Sequence, residues 1–131
     1  MILRHPISTF FPYKSLLRSL IAGIREDYSM GFPDEPGFRA GIARSFCFYD
    51  VTEDRQTDLK IVPFQVMDAT LYQYKNLDAV ASKRVITGLI DQTRIAGGQF
   101  VSLWHNTSLL ETPEWKGWRE LFESMLQMQQ S

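Results

Sequence analysis

The stretch Gly97-Gly98-Gln99-Phe100-Val101-Ser102-Leu103-Trp104-His105-Asn106 decides how the rest of the chain is read. Two glycines suited to stopping a helix precede a short apolar run, and the run ends abruptly in a polar His-Asn pair. A buried strand of an α/β protein delivers a side chain to a site at its carboxyl end in this way. His105 is one of only two histidines in the chain, which makes it the first candidate for chemistry.

On the amino-terminal side of this strand, Leu77, Val80, Ala81, Val85, Leu89 and Ile90 recur at helical spacing, with Asn76 as the expected cap and Gly97 as the stop. On the carboxyl side, Thr112-Pro113-Glu114 offers a cap, a first-position proline and an acid in the first turn. Trp115, Trp118, Leu121, Phe122, Met125 and Leu126 would give that last helix a broad apolar face.

Further upstream, residues 12–22 predict a helix through Leu16, Leu17, Leu20, Ile21 and Ile24, opened by Pro12 and closed by Gly23. Residues 27–32 are expected to be a short strand and Pro33-Asp34-Glu35-Pro36-Gly37 a loop. Residues 38–51 look extended with a bend at Gly41, and residues 59–67 predict a strand interrupted at Pro63. Between them, Thr52-Glu53-Asp54-Arg55-Gln56-Thr57-Asp58 reads as a solvated connection. Helix, strand, strands, helix, strand, helix is the order of an α/β layered protein, and about four strands are too few to close an eight-stranded parallel barrel.

The 131 residues suffice for a single domain with a real core, and 44% hydrophobic with 22% charged residues describes an ordinary globular composition. A net charge of −1 gives no footprint for nucleic acid and no polybasic membrane surface. No run approaches the ~20 apolar residues of a membrane span. Met1-Ile2-Leu3-Arg4-His5-Pro6 lacks the apolar core of a targeting segment, so the compartment is left open with cytoplasm as the default. The single cysteine, Cys47, excludes an internal disulfide and a cysteine-based zinc cluster, and Phe46-Cys47-Phe48 suggests a buried strand position for it.

Asp68 ends a second apolar run, Phe64-Gln65-Val66-Met67-Asp68. A carboxylate bonded to one imidazole nitrogen fixes the tautomer and prepares a histidine for acid–base work near neutral pH. The plainer alternatives are a satisfied structural histidine at 105 and a cap for the turn at 69–72 from Asp68. Arg39, in Gly37-Phe38-Arg39-Ala40-Gly41, could orient a carboxylate through a two-pronged bond or be a surface arginine beside a turn. Asp27 and Asp34 read first as cap or turn residues. Trp115-Lys116-Gly117-Trp118 allows sugar stacking, although tryptophans on a helical stripe usually form core. No metal site is identifiable: His5 and His105 are a hundred residues apart, and neither a His-x-x-x-His pair nor an Asp-Asp doublet occurs. No phosphate loop or Gly-x-Ser-x-Gly elbow is present either.

With those residues in view, the chain resembles the C-terminal part of polysaccharide deacetylase-like proteins, the NodB-homology carbohydrate esterases, within a bacterial branch that carries an uncharacterised N-terminal region. The matching stretches are residues 22–32 (AGIREDYSMGF), Gly37-Phe38-Arg39-Ala40-Gly41, residues 63–71 (PFQVMDATL), residues 100–106 (FVSLWHN) and residues 114–119 (EWKGWR). They run through nearly the whole chain in the family's order. The resemblance implies part of a distorted (β/α) barrel and a zinc-dependent hydrolase that removes acetyl groups from N-acetylated sugars or polysaccharides. It assigns His105 as the general acid, Asp68 as the acid that holds it, and Arg39 as the arginine that orients the catalytic base, and the three are expected to converge on one cleft at the mouth of the incomplete barrel. Leu103 corresponds to the leucine of the acetyl-methyl pocket, and Trp104 beside it is the further candidate for substrate binding.

The family's Asp-Asp and His-x-x-x-His motifs are absent, and Gly41 stands where the arginine motif normally has proline. The expectation is therefore a C-terminal segment (residues 1–131 as one unit) that lacks the metal-binding half and is inactive alone. Without metal and base, no water becomes a competent nucleophile at neutral pH, since lowering its pKa from about 15.7 to about 7 is the metal's task. A partial barrel exposes strand edges, so a homo-oligomer is expected. The rival expectations are a non-catalytic, self-associating domain that keeps the family frame, and a sugar-binding module built on Trp104.

Overall fold

The computed structural model of the chain describes residues 2–3 and 13–130. Pro12 and His5 lie outside them. The chain is an α/β protein whose strands form a four-stranded and a two-stranded sheet, and no barrel closes among the described residues.

Strand β1 (Ile2–Leu3) leads into helix α1 (Tyr13–Ile21), which Gly23 ends at a φ of 77°. Strand β2 (Glu26–Asp27) then lies parallel to β1, with Ile2 opposite Glu26. Strands β3 (Phe46–Asp50) and β4 (Arg55–Ile61) form an antiparallel hairpin, and β4 also runs parallel to β2, giving the order β1-β2-β4-β3. Past Pro63 the same run of chain continues as β5 (Val66–Met67), parallel to β6 (Ser102–Leu103). Helix α2 (Ala79–Ile95) connects those two strands, and helix α3 (Trp118–Gln130) follows.

Residues 60–67 form the spine of this arrangement. On one side the amides of Lys60, Val62 and Phe64 donate to the carbonyls of Arg25, Asp27 and Met30; on the other, the Gln65 amide donates to the Val101 carbonyl. The hairpin partner β3 covers the first half of the spine and β6 the second. Pro63, which has no N–H to donate, sits where the neighbour changes.

Three clusters of buried side chains fill the layers. Val66, Ile86, Ile90, Trp118, Leu121 and Met125 pack β5 under α2 and α3. Leu16, Phe48, Leu59 and Ile61 pack α1 on the hairpin, and Phe64, Met67 and Leu103 form a small cluster of their own.

Several elements differ from the sequence reading. Residues 55–58 are the start of β4 and not a connection; Thr57, Leu59 and Ile61 are buried while Gln56, Asp58 and Lys60 are exposed, an alternation that the local charge density hides. The turn is confined to residues 51–54, where Asp54 takes a left-handed φ of 48°. Of the extended segments expected over 27–32 and 38–51, only Asp27, the end of β2, and Phe46–Asp50 are strand. The long helix is capped by Asp78, whose carboxylate accepts from the Ala81 amide at 2.8 Å; Asn76 takes a left-handed φ of 52° two residues earlier. Thr112-Pro113-Glu114 opens only a short 3-10 turn, because Gly117 at φ 84° breaks the chain before α3 begins. Cys47 is exposed: it pairs with Lys60 on the outer face, while Phe48 takes the inward position.

Candidate active site at the ends of β5 and β6

Parallel strands β5 and β6 end side by side, with Met67 opposite Leu103, so the next residues of both leave the sheet at the same edge. Asp68 and Trp104-His105 occupy those positions. Asp68 is 1% exposed, and four donors surround its carboxylate. Oδ1 accepts from the Ala69 amide at 2.7 Å and lies 2.6 Å from Nδ1 of His105; Oδ2 accepts from the His105 amide at 2.7 Å and from the Ser108 hydroxyl. An ionised carboxylate accepts only, so Nδ1 of His105 is the protonated nitrogen of that contact. Nε2 is left to exchange a proton, and the His105 side chain is 58% exposed.

His105 lines a cavity of about 380 Å³ together with Met67, Leu103, Trp104, Tyr28 and Ser29; Pro33, Ala69, Gln73 and Tyr74 complete its wall. Leu103 is buried and contributes the apolar floor. Trp104 is half-buried: Nε1 donates to Ser102 Oγ at 3.1 Å, and the ring packs edge-on against Phe122 and Trp118 with centroids 5.2 and 6.1 Å apart. Tyr28 donates to Glu26 at 3.1 Å. Burial, and then the Glu26 carboxylate, raise its phenol above the ordinary range, so it is a hydroxyl donor at neutral pH.

The remaining candidates fall elsewhere. Asp27 is the fully buried last residue of β2, and its carboxylate accepts from the amide and hydroxyl of Ser29, so it closes the turn that leaves the strand, as the plainer reading had it. Asp34 is exposed in its loop. Trp115 and Trp118 are buried, edge-on to each other at 5.3 Å, and form core.

Arg39 does not join His105 and Asp68 at one cavity. Its Nη1 donates to the Gly31 carbonyl at 3.0 Å, and its guanidinium lies 5.7 Å from the centre of the Phe32 ring. There it lines a different, largely apolar cavity of about 760 Å³ with Met30, Phe32, Phe46 and Phe48. The two cavities flank residues 28–33: Tyr28, Ser29 and Pro33 face the His105 side, Met30 and Phe32 the Arg39 side. Arg39 thus clamps the loop that forms one wall of the His105 cavity.

Ser108 is the site residue that sequence reasoning missed. It is fully buried in a 3-10 turn, Asn106–Leu109, that begins directly after His105. The signal was a serine three residues beyond a strand-ending histidine, a spacing that one tight turn folds back onto the strand end.

Among the described residues, no group of three or more His, Cys, Asp or Glu side chains is placed to hold a metal ion. No described helix is long and apolar enough to cross a membrane. Comparison with family models, curated proteins and solved structures finds no match to the chain.

Proposed function

We propose that Asp68 and His105 form the proton-donating half of a polysaccharide deacetylase-like site acting on an N-acetylated sugar, and that the chain corresponds to the C-terminal segment of a distorted (β/α) barrel. The observation that carries the reading is the Asp68–His105 contact at 2.6 Å, built at the carboxyl ends of adjacent parallel strands beside the buried Leu103. The helix–strand alternation β1-α1-β2 and β5-α2-β6-α3 supports the barrel frame.

In this reading Asp68 holds the Nδ1 proton of His105, and the second proton, on Nε2, passes to the amide nitrogen as its bond to the acetyl carbon breaks. The sugar then leaves as a free amine. Such a positioned acid typically contributes about 10²–10⁴-fold. Leu103 offers an apolar contact to the acetyl methyl, and Trp104 with Tyr28 walls the sugar. Activation of the attacking water is assigned to none of the residues described.

The test is saturation-transfer NMR of the chain with an acetylated chito-oligosaccharide. Magnetisation should reach the acetyl methyl, and the effect should weaken at least about threefold in Leu103→Ala, which removes most of that contact. Equal transfer to fully deacetylated oligosaccharide, or none across chitin, xylan and peptidoglycan fragments, contradicts the reading.

One observation favours the self-associating alternative. In the four-stranded sheet β3 is an edge strand, and Tyr49 and the adjoining Val51 are exposed along it. Gel filtration decides: a dimer that Tyr49→Lys dissociates supports that alternative, and a monomer at all concentrations removes it.

A further inference from the structure

We infer that Ser108 is a positioning residue for the Asp68–His105 pair, setting which nitrogen of His105 carries the proton. The inference rests on the proposed acid role for its chemical purpose, while its geometry stands independently.

The donor count leads to it. Two of the four donors to Asp68, the amides of Ala69 and His105, are fixed by the backbone, and a third is the His105 ring itself. Ser108 is the one remaining side chain that determines how the carboxylate lies. Its single hydroxyl proton has two acceptors in reach, Asp68 Oδ2 and the His105 carbonyl at 2.8 Å. That carbonyl already accepts from the Ser108 amide at 3.2 Å. The charged acceptor takes the proton, because hydrogen bonds to ionised groups are roughly twice as strong as neutral ones. Full burial of Ser108 excludes water from replacing it.

The consequence falls on the exposed ring. Asp68 is locked at both oxygens, whereas the His105 side chain is more than half exposed and its bond to that carboxylate is the contact that orients it. Its orientation and tautomer follow the carboxylate. Removing the hydroxyl leaves Oδ2 with only the His105 amide, frees the carboxylate plane to turn, and loosens its grip on Nδ1.

The experiment is a long-range ¹H–¹⁵N correlation spectrum of the full chain with labelled histidine, at about pH 8.5, above the range where imidazoles ordinarily titrate. His5→Gln assigns the His105 signals. In the unsubstituted chain the neutral His105 ring should be mainly the Nδ1–H tautomer. In Ser108→Ala the ratio should shift toward Nε2–H by about threefold or more, a fraction of what one bond to a charged group can supply. Ser108→Thr, which retains the hydroxyl, should stay within about twofold of the original ratio.

An unchanged ratio in folded Ser108→Ala overturns the inference. So does an equal shift in Ser108→Thr, which would assign the effect to packing. If Ser108→Ala does not fold, Ser108→Cys replaces it, since a thiol is a similar-sized but weak donor, with the same expected direction and the same contrary result. Failure of the acetyl-sugar reading leaves these ratios untouched, so the two can fail separately.

Discussion

The two cavities on either side of residues 28–33 are built from opposite materials. At the ends of β5 and β6, a buried carboxylate meets four donors and presents one free imidazole nitrogen to a cavity with both polar and apolar walls. On the other side, α1 and the β3–β4 hairpin contribute Tyr13, Leu16, Phe46 and Phe48, and the guanidinium of Arg39 bonds to a loop carbonyl. The larger cavity has the weaker claim to chemistry. Volume records where side chains fail to meet, whereas a reactive group needs a geometry that other groups determine, and only the strand ends supply that.

The comparison can be broken by substitution. Asp68→Ala should have the largest effect, because it removes the acceptor of the Ala69 and His105 amides and the charged acceptor of the buried Ser108 hydroxyl at once. A loss of about 4 kcal/mol is expected in urea unfolding. A loss below about 1 kcal/mol would mean that the network is not a structural unit.

Gly31→Ala addresses the shared wall. A Cβ there would stand 2.4 Å from the ring of Phe64, which is fully buried and cannot swing aside. Overpacking of this kind should cost about 2–3 kcal/mol and perturb both cavities. A neutral result would show the wall to be soft.

Arg39→Ala should be milder, on the order of 1–2 kcal/mol, since the bond to the Gly31 carbonyl and the contact with a partly exposed Phe32 are among the interactions lost. It should leave the tautomer of His105 unchanged. A tautomer change as large as that of an Asp68 substitution would place Arg39 with the strand-end site after all.

The smallest expected effect concerns acid. Asp50 accepts from the Tyr13 hydroxyl at 2.8 Å and from the Thr52 amide at 2.9 Å. The Tyr13 bond, helped by backbone amides and opposed by burial, holds its carboxyl below the ordinary value. A lowered folded-state pKa means that the contribution is complete above the unfolded value, about 3.9, and disappears as pH falls through the folded one. Asp50→Asn should therefore lose stability less steeply than the unsubstituted chain between about pH 4 and pH 2. Equal slopes in pH-dependent urea unfolding would contradict this.

What the sequence disclosed follows the same division. The run from Phe100 to His105 and the one from Phe64 to Asp68 announce strand ends because an apolar run stopping at a polar residue needs no partner to be recognised. The pairing of Asp68 with His105, and the core role of Trp115 and Trp118, could be inferred from such local patterns. The hairpin could not: the charges of 53–58 mask a period-two alternation, and whether Cys47 or Phe48 points inward depends on register with β4, a long-range property. Arg39 was misplaced for a related reason. Flanking glycines show that the backbone can bend there but not toward which wall the side chain turns. Ser108 escaped notice because a serine gains meaning only once a turn returns it to the strand end.

Asp68 holds the Nδ1 proton of His105 and leaves Nε2 for the cavity. The nitrogen shifts of the His105 ring at about pH 8.5, in the unsubstituted chain and in Asp68→Asn, test it most directly. A dominant Nδ1–H form should give way to Nε2–H by about tenfold or more when the carboxylate becomes an amide, the effect of one bond to a charged group. A ring that is mainly Nε2–H in the unsubstituted chain, or a ratio indifferent to Asp68, would contradict it.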